Sequence, residues 1–389
     1  MKVSVIGGGG YVGLVTAAGL AELGHEVISM DKDPQRIAQL KQGKAPFHES
    51  GLEPLIASNL KAGRIRFTSS AVDALAEASV LIIAVGTPTG TNGSTDLTEM
   101  EQVIRTLAPL VHDGQVIVIK STVPVGTADL FRETLNKAGV EDSKYELVSN
   151  PEFLSEGRAL KDFFHPSRII IGAHTERARQ KMRELYRTLL DGGEIWDYED
   201  GRSVSLTPTP ILETGIESAQ IIKYASNAFL ATRLSFINEI AALSERVGAD
   251  IDEVIDGIGY DDRIGRSYLR PGIGFGGPCL EKDLMSLLSM AERVDFNASA
   301  LAGVLERNVR QAEEFVDKIA AILGGDASGK RIGVLGLSFK AGTDDVRNSV
   351  AVKIIDKLLS LNASVISHDP ISIPAAKQIR PGYEYALAP

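Results

Sequence analysis

Residues 2–6 (KVSVI) alternate apolar and polar positions and are rich in β-formers, so they predict a strand. The strand runs into Gly7-Gly8-Gly9-Gly10, and residues 14–23 then follow a helical pattern that Gly24 ends. Residues 25–30 predict a second strand, which stops at Asp31. Three apolar runs of buried-strand type follow at 80–85, 115–119 and 146–149, each ending in polar, turn-forming sequence. From about 214 to 247 the chain has few breakers and predicts one long helix. Lys223 and Asn227 are four apart and lie on one face of it. Near the C-terminus the opening is echoed: residues 330–336 (KRIGVLG) resemble the first strand, and 364–369 (SVISHD) resemble 26–31 (EVISMD). A second strand–helix–strand unit therefore begins near residue 330, with two strands evident.

Within the first turn, Gly8, Gly10 and Gly13 fit G-x-G-x-x-G, in the context of strand, turn, helix, strand and acid. Glycines there allow a tight turn and let a pyrophosphate approach the helix N-terminus. The turn, Tyr11 and Val12 included, is the candidate site for NAD. Asp31 would bond the adenosine ribose hydroxyls and repel a 2′-phosphate; Lys32 and Arg36 beside it weaken that preference. The pattern predicts an α/β protein: an N-terminal Rossmann-type doubly wound parallel sheet over 1–210, a central long-helix domain over 211–325, and a partial second Rossmann-like α/β unit over 326–389. In such a sheet the loops after strand C-termini line the ligand crevice. Thr87, Thr122, Glu152 and Glu156 should therefore converge near the nicotinamide.

Composition narrows the classes. The 389 residues are 44% hydrophobic and 24% charged, as expected of a globular chain of two or three domains. No apolar run reaches membrane-spanning length and no export signal is read, so a cytoplasmic location is expected. A net charge of −10 argues against a general nucleic-acid binder. The six histidines form no pair at helical spacing, and no metal site is read.

Cys279 is the one cysteine, within Gly274-Phe275-Gly276-Gly277-Pro278-Cys279-Leu280-Glu281-Lys282-Asp283. It has no partner for an intrachain disulfide. Glycines before it permit close approach of a ligand, and Lys282 and Asp283 supply charge that can tune a thiol. Most lone cysteines are buried and structural; here it is the rest of the chain that reverses those odds. Arg263 and Arg270, just upstream, are candidate phosphate ligands, and the loop 339–347 (FKAGTDDVR) could hold phosphates as well.

Together the GYVGL turn, STVPVGT, NPEFLSEG, IKYASNAFLATRLSFINE, GFGGPCLEKD and GLSFKAGTDDVR resemble the UDP-glucose/GDP-mannose dehydrogenase family over nearly the whole chain. The resemblance implies oxidation of a nucleotide sugar's primary alcohol to a carboxylate with two NAD per turnover, UDP-glucose being the favoured substrate. It implies that Lys223 and Asp283, with a water, take the hydroxyl proton. Cys279 then carries a thiohemiacetal and a thioester. Water positioned by Thr122 and activated by Glu152 hydrolyses the thioester, while Lys223 and Asn227 stabilise oxyanions. On the same warrant Glu152, Phe153, Leu154, Lys223, Asn227, Tyr268, Phe275, Gly276, Lys340 and a partner subunit's copy of Arg263 contact the sugar nucleotide, and Glu156 and Arg347 touch NAD. A homodimer built on the long helix is expected. Three departures stand out. The first turn has one extra glycine, residues 191–207 form a long polar connection, and the C-terminal unit is expected to be a shortened nucleotide-sugar domain.

GDP-mannose and UDP-N-acetyl-hexosamine oxidation are the alternative reactions. A β-hydroxyacid dehydrogenase would share the NAD domain, long helix and lysine but needs no cysteine. A catalytically incomplete NAD-binding module is the reading outside enzymes.

Overall fold

The computed structural model describes residues 1–388, which form two compact units: residues 1–91 with 95–223, and residues 92–94 with 224 onward. In the first, β1 (Lys2–Ile6), β2 (Glu26–Met30), β3 (Ile65–Thr68), β4 (Val80–Ile83), β5 (Gln115–Ile119), β6 (Tyr145–Ser149), β7 (Ile169–Ala173), β8 (Glu194–Asp197), β9 (Arg202–Ser205) and β10 (Ile211–Thr214) appear in chain order. Eight of them make one sheet, ordered β10-β7-β6-β5-β4-β1-β2-β3. Every residue of β4 (VLII) and β5 (QVIVI) is buried, as befits central strands covered on both faces. Alternation divides β4 between two cores: Val80 and Ile82 pack with Val3, Val5 and Leu14, while Leu81 and Ile83 pack with Ile117, Ile119 and Phe131.

The expected sheet is parallel, and six strands are. The last two run the other way: β7 pairs antiparallel with β6 (Val148↔Ala173, Ser149↔Gly172), and β10 lies parallel to β7. The sheet also extends beyond residue 210, through β10. Hydrophobic periodicity marks a strand but carries no direction, and an antiparallel return needs no crossover helix around the sheet. The polar connection at 191–207 is ordered as the β8–β9 hairpin, in which Ile195 reaches the core and Trp196 is exposed.

The second unit contains most of the helix Ile216–Val247, which begins in the first unit, and the helices Ile251–Gly259, Leu280–Arg293 and Ser299–Ile322. Ala228, Ala231, Phe275, Leu284 and Val304 form its helical core. Beyond these, β11 (Arg331–Leu335), β12 (Ser364–His368) and β13 (Glu384–Tyr385) make a parallel sheet. The sequence shows two strands here; β13 is only two residues long and too short for any period. Helix Val350–Ser360 covers this sheet through Ile354, Ile355 and Leu358. Among the described residues no helix is long and apolar enough to cross a membrane, and no cluster of three or more His, Cys, Asp or Glu could hold a metal ion.

Candidate active site

The first turn is built by exclusion of side chains. Gly7 has φ +79°, and the N–H groups of Gly7 and Gly8 both donate to Met30 O, at 3.0 and 2.9 Å. A Cβ on Gly8 would lie 2.1 Å from Ser29 Oγ, and one on Gly13 would lie 2.2 Å from Gly7 O. Gly10 caps the helix Tyr11–Glu22, and a Cβ there would approach only Gly7 O, at 3.3 Å. The space that glycine leaves lies beside unpaired N–H groups at the helix N-terminus, the arrangement that receives a pyrophosphate. Asp31 directly follows β2, buried, and Gly9 N donates to its Oδ2 at 3.1 Å. Arg36 pairs with the same oxygen at 3.0 Å. This chain's residues fit NAD.

A network that sequence reasoning missed joins this turn to the loop after β6. Buried Glu49 accepts from Tyr11 Oη, from Gly157 N at 2.8 Å and from Ala159 N at 2.7 Å. A lone carboxylate in a polar stretch gives no signal of that task. Val12 is half-buried one residue further on.

At the strand ends Thr87 Oγ1 donates to Thr122 O at 2.9 Å. Glu152 and Lys223 form a buried ion pair at 2.9 Å, and Leu154 N donates to Glu152 at 2.5 Å. Burial alone would push the Glu152 carboxyl up. The charge and hydrogen bond of Lys223, the Leu154 N–H and the Lys120 charge outweigh it and hold the group below its ordinary value. Phe153 lies under Arg168, 3.6 Å from the ring centroid, with Lys223 at 5.3 Å. Glu156 is half-buried on the same loop. A cavity of about 190 Å³, lined among others by Lys120, Asn150, Glu152, Phe153, Arg168 and Tyr186, opens beside them. Lys120 and Asn150 were visible in the strand-end motifs, but a lysine after a strand ordinarily reads as a solvated residue.

In the second unit Cys279 is the exposed N-cap of helix Leu280–Arg293. Its carbonyl accepts from Asp283 N at 2.9 Å. The Asp283 side chain is buried (1% exposed) and accepts from Asn227 Nδ2 at 2.6 Å and from Lys282 Nζ. Asn227 sits on helix Ile216–Val247, one turn beyond Lys223. Asn308 clamps buried Phe275, accepting from its N–H at 2.8 Å and donating to its carbonyl at 2.9 Å. Asn348, at φ +51°, supports the next residues: its carbonyl accepts from Gly277 N at 3.3 Å, and its amide donates to Glu281 at 2.6 Å. A Cβ on Gly276 would lie 2.3 Å from that carbonyl.

Three candidates lie apart from this cluster on the surface. Arg263 is exposed and bound to Asp261 at 2.6 Å, Tyr268 is exposed at φ +58°, and Arg270 is exposed. Lys340 lies 5.6 Å from the Phe339 ring centroid, and Arg347 pairs with Asp345 in the loop before Asn348.

The chain matches the UDP-glucose/GDP-mannose dehydrogenase family in three parts: the NAD binding domain over residues 1–190, the central domain over 217–310 and the UDP binding domain over 333–388. A UDP-glucose 6-dehydrogenase of Bacillus subtilis is 42% identical over 381 residues, covering 98% of this chain and 82% of that protein. The structure of a UDP-glucose dehydrogenase from Pyrobaculum islandicum superposes with a TM-score of 0.91 at 36% identity, covering 99% of this chain and 85% of the other. A UDP-D-ManNAc dehydrogenase from Pyrococcus horikoshii gives 0.83 at 29% identity, covering 95% and 84%.

Proposed function

The chain belongs to the UDP-glucose/GDP-mannose dehydrogenase family and is an NAD-dependent nucleotide-sugar dehydrogenase, and on that premise we propose that it oxidises UDP-glucose to UDP-glucuronate through a thioester on Cys279. The observation that carries this reading is the exposed Cys279 thiol at the head of a helix, one turn before an Asp283 carboxylate held by Asn227 and Lys282. A helix N-terminus favours thiolate, and a thiolate is a strong nucleophile whose thioester is readily cleaved.

Bound at the glycine turn, NAD would supply the oxidising power for each half of the reaction, as a hydride acceptor used once per half. In the first half, Lys223 and Asp283, through a water, take the proton of the 6-hydroxyl as C6 becomes an aldehyde. The Cys279 thiolate then adds to that aldehyde, forming a C–S bond, and the resulting oxyanion is stabilised by Lys223 and Asn227. The second oxidation converts this thiohemiacetal to the thioester. Thr122 positions a water and Glu152 takes its proton. Water oxygen bonds to the acyl carbon, the C–S bond breaks, and the thiolate leaves. Phe153, Leu154, Tyr268, Phe275, Gly276 and Lys340 would hold the sugar nucleotide, while Asp31, Arg36, Glu156 and Arg347 would hold the cofactor.

We also propose a homodimer. Phe229, Phe236 and Leu243 recur every seven residues on helix Ile216–Val247 and are 61%, 50% and 54% exposed. Such a stripe suits a second copy of the same helix. The partner subunit would then offer its copy of Arg263 to the sugar nucleotide.

Turnover of UDP-glucose, GDP-mannose and UDP-N-acetyl sugars with NAD tests the substrate. Cys279→Ser tests the chemistry. That variant should release about one NADH per site and then stall, because an ester resists hydrolysis far more than a thioester. Glu152→Gln should accumulate the adduct on the peptide containing Cys279, seen by mass spectrometry of quenched enzyme. Normal two-NADH turnover by Cys279→Ala would end the thioester reading.

A further inference from the structure

Lys120 is a buried ammonium, 5% exposed, whose one hydrogen-bond acceptor among the described residues is a neutral amide. It stands at the end of β5, and Asn150 stands at the end of the neighbouring β6. Its Nζ donates to Asn150 Oδ1 at 3.2 Å, and Tyr186 Oη donates to the same oxygen at 2.7 Å. Asn150 is itself fixed: its N–H donates to Ile119 O at 2.9 Å and its amide to Ile170 O at 2.8 Å. Two residues later comes Glu152. Lys120, Asn150, Glu152 and Tyr186 line the same cavity.

A buried ammonium ordinarily takes a carboxylate partner. Here the carboxylate whose charge acts on Lys120 is Glu152, which is already bound to Lys223. One carboxylate therefore serves two ammonium groups. Packing does not demand this, since a methionine of similar length could fill the position. Burial lowers the Lys120 ammonium to about 8; the Glu152 charge opposes that shift and the Lys223 charge adds to it. The remaining titratable groups on the cavity are Tyr186, Arg158, Asp162, His165 and Arg168.

We propose that Lys120 is a positioning residue for Glu152: through Asn150 it anchors the loop that carries the carboxylate, and through its charge it restrains the carboxylate's basicity. Loss of the Lys120 proton frees Glu152 to take a proton from water more readily. The proposal rests on Glu152 acting as base in thioester hydrolysis.

The test is the single-turnover rate of thioester hydrolysis between about pH 6.5 and 9.5, measured by rapid quench of full-length enzyme with UDP-glucose and NAD. The parent should rise about threefold through the region near pH 8, as expected for a base strengthened by one pK unit at a Brønsted slope near one half. Lys120→Gln, which keeps a donor for Asn150, should stay at the higher rate throughout, and Lys120→Arg, charged at every pH, at the lower one. A purely structural role would slow both variants without separating them. Lys120→Met, which also removes the donor to Asn150, should be equally flat with pH but slower than Lys120→Gln. A parent-like rise in Lys120→Gln and Lys120→Arg, or the same flat rate in both, overturns the proposal. Parent-rate hydrolysis by Glu152→Gln would instead overturn the assignment of the base and leave a different signature.

Discussion

The Asp31 carboxylate holds three donors: Gly9 N, Asp33 N and the Arg36 guanidinium. It therefore shapes the glycine turn in addition to the cofactor-selecting role proposed for it. Asp31→Ala should weaken NAD binding roughly tenfold, the order of one charged hydrogen bond, and narrow the preference for NAD over NADP. Fluorescence titration with both cofactors checks this; unchanged NAD affinity with NADP still excluded would remove Asp31 from the site. Lys120 makes a second prediction, about stability. Its folded value of about 8 lies below the ordinary lysine value of 10.5, so between them the unfolded chain binds more protons. Stability should rise with pH across that window, by on the order of 3 kcal/mol. Lys120→Met should lose that rise and be the more stable protein at pH 7, as urea unfolding at pH 7 and 10 would show. Glu152 has the same sign in a lower pH window, where the unfolded chain again binds more protons. Its depressed carboxyl contributes stability above the ordinary value of 4.5, and this is lost as pH falls below it. Cys279 and Asp283 were legible because a motif surrounds them. Lys120 was not, because burial of a strand-end lysine depends on Tyr186 and Asn150, which lie 66 and 30 positions along the chain.

Among the elements, strands β1, β2, β4, β5 and β6 and the long helix were readable within a residue or two, since alternation and continuous apolar runs report burial directly. The direction of β7 and β10 was not readable. The β8–β9 hairpin was hidden by its composition, because Ile195 is its one fully buried side chain and its other face is solvated. The long helix carries its own prediction. Phe229→Arg with Phe236→Arg should convert a dimer to a monomer in sedimentation, because each side chain contributes about 1.5–3 kcal/mol when buried and a charge there opposes burial. Turnover should fall in step if Arg263 acts across the interface. A parent protein that is monomeric at every practical concentration would remove both ideas.

For the whole molecule, the two units have separate cores: the sheet and its helices in one, and the helical and β11–β13 cores in the other. Ligands should therefore act on different parts of the melting curve. NAD at a hundredfold over its Kd should add about 2.7 kcal/mol to the unit that carries the glycine turn, and UDP should add to the second. Calorimetry in which either ligand moves a single shared transition would show that the chain unfolds as one cooperative block instead. The support that Asn348 gives to Gly276 and Gly277 sets a condition on redesign. A chimaera that takes residues from 330 onward from a relative with another nucleotide preference would import the carbonyl on which the cysteine loop rests. Its donor must place an Asn-like residue in the left-handed region at 348, with its carbonyl at the same height beneath a side-chain-free 276. The first symptom of a poor donor would be a sluggish thiol, while nucleotide affinity could look fully transferred.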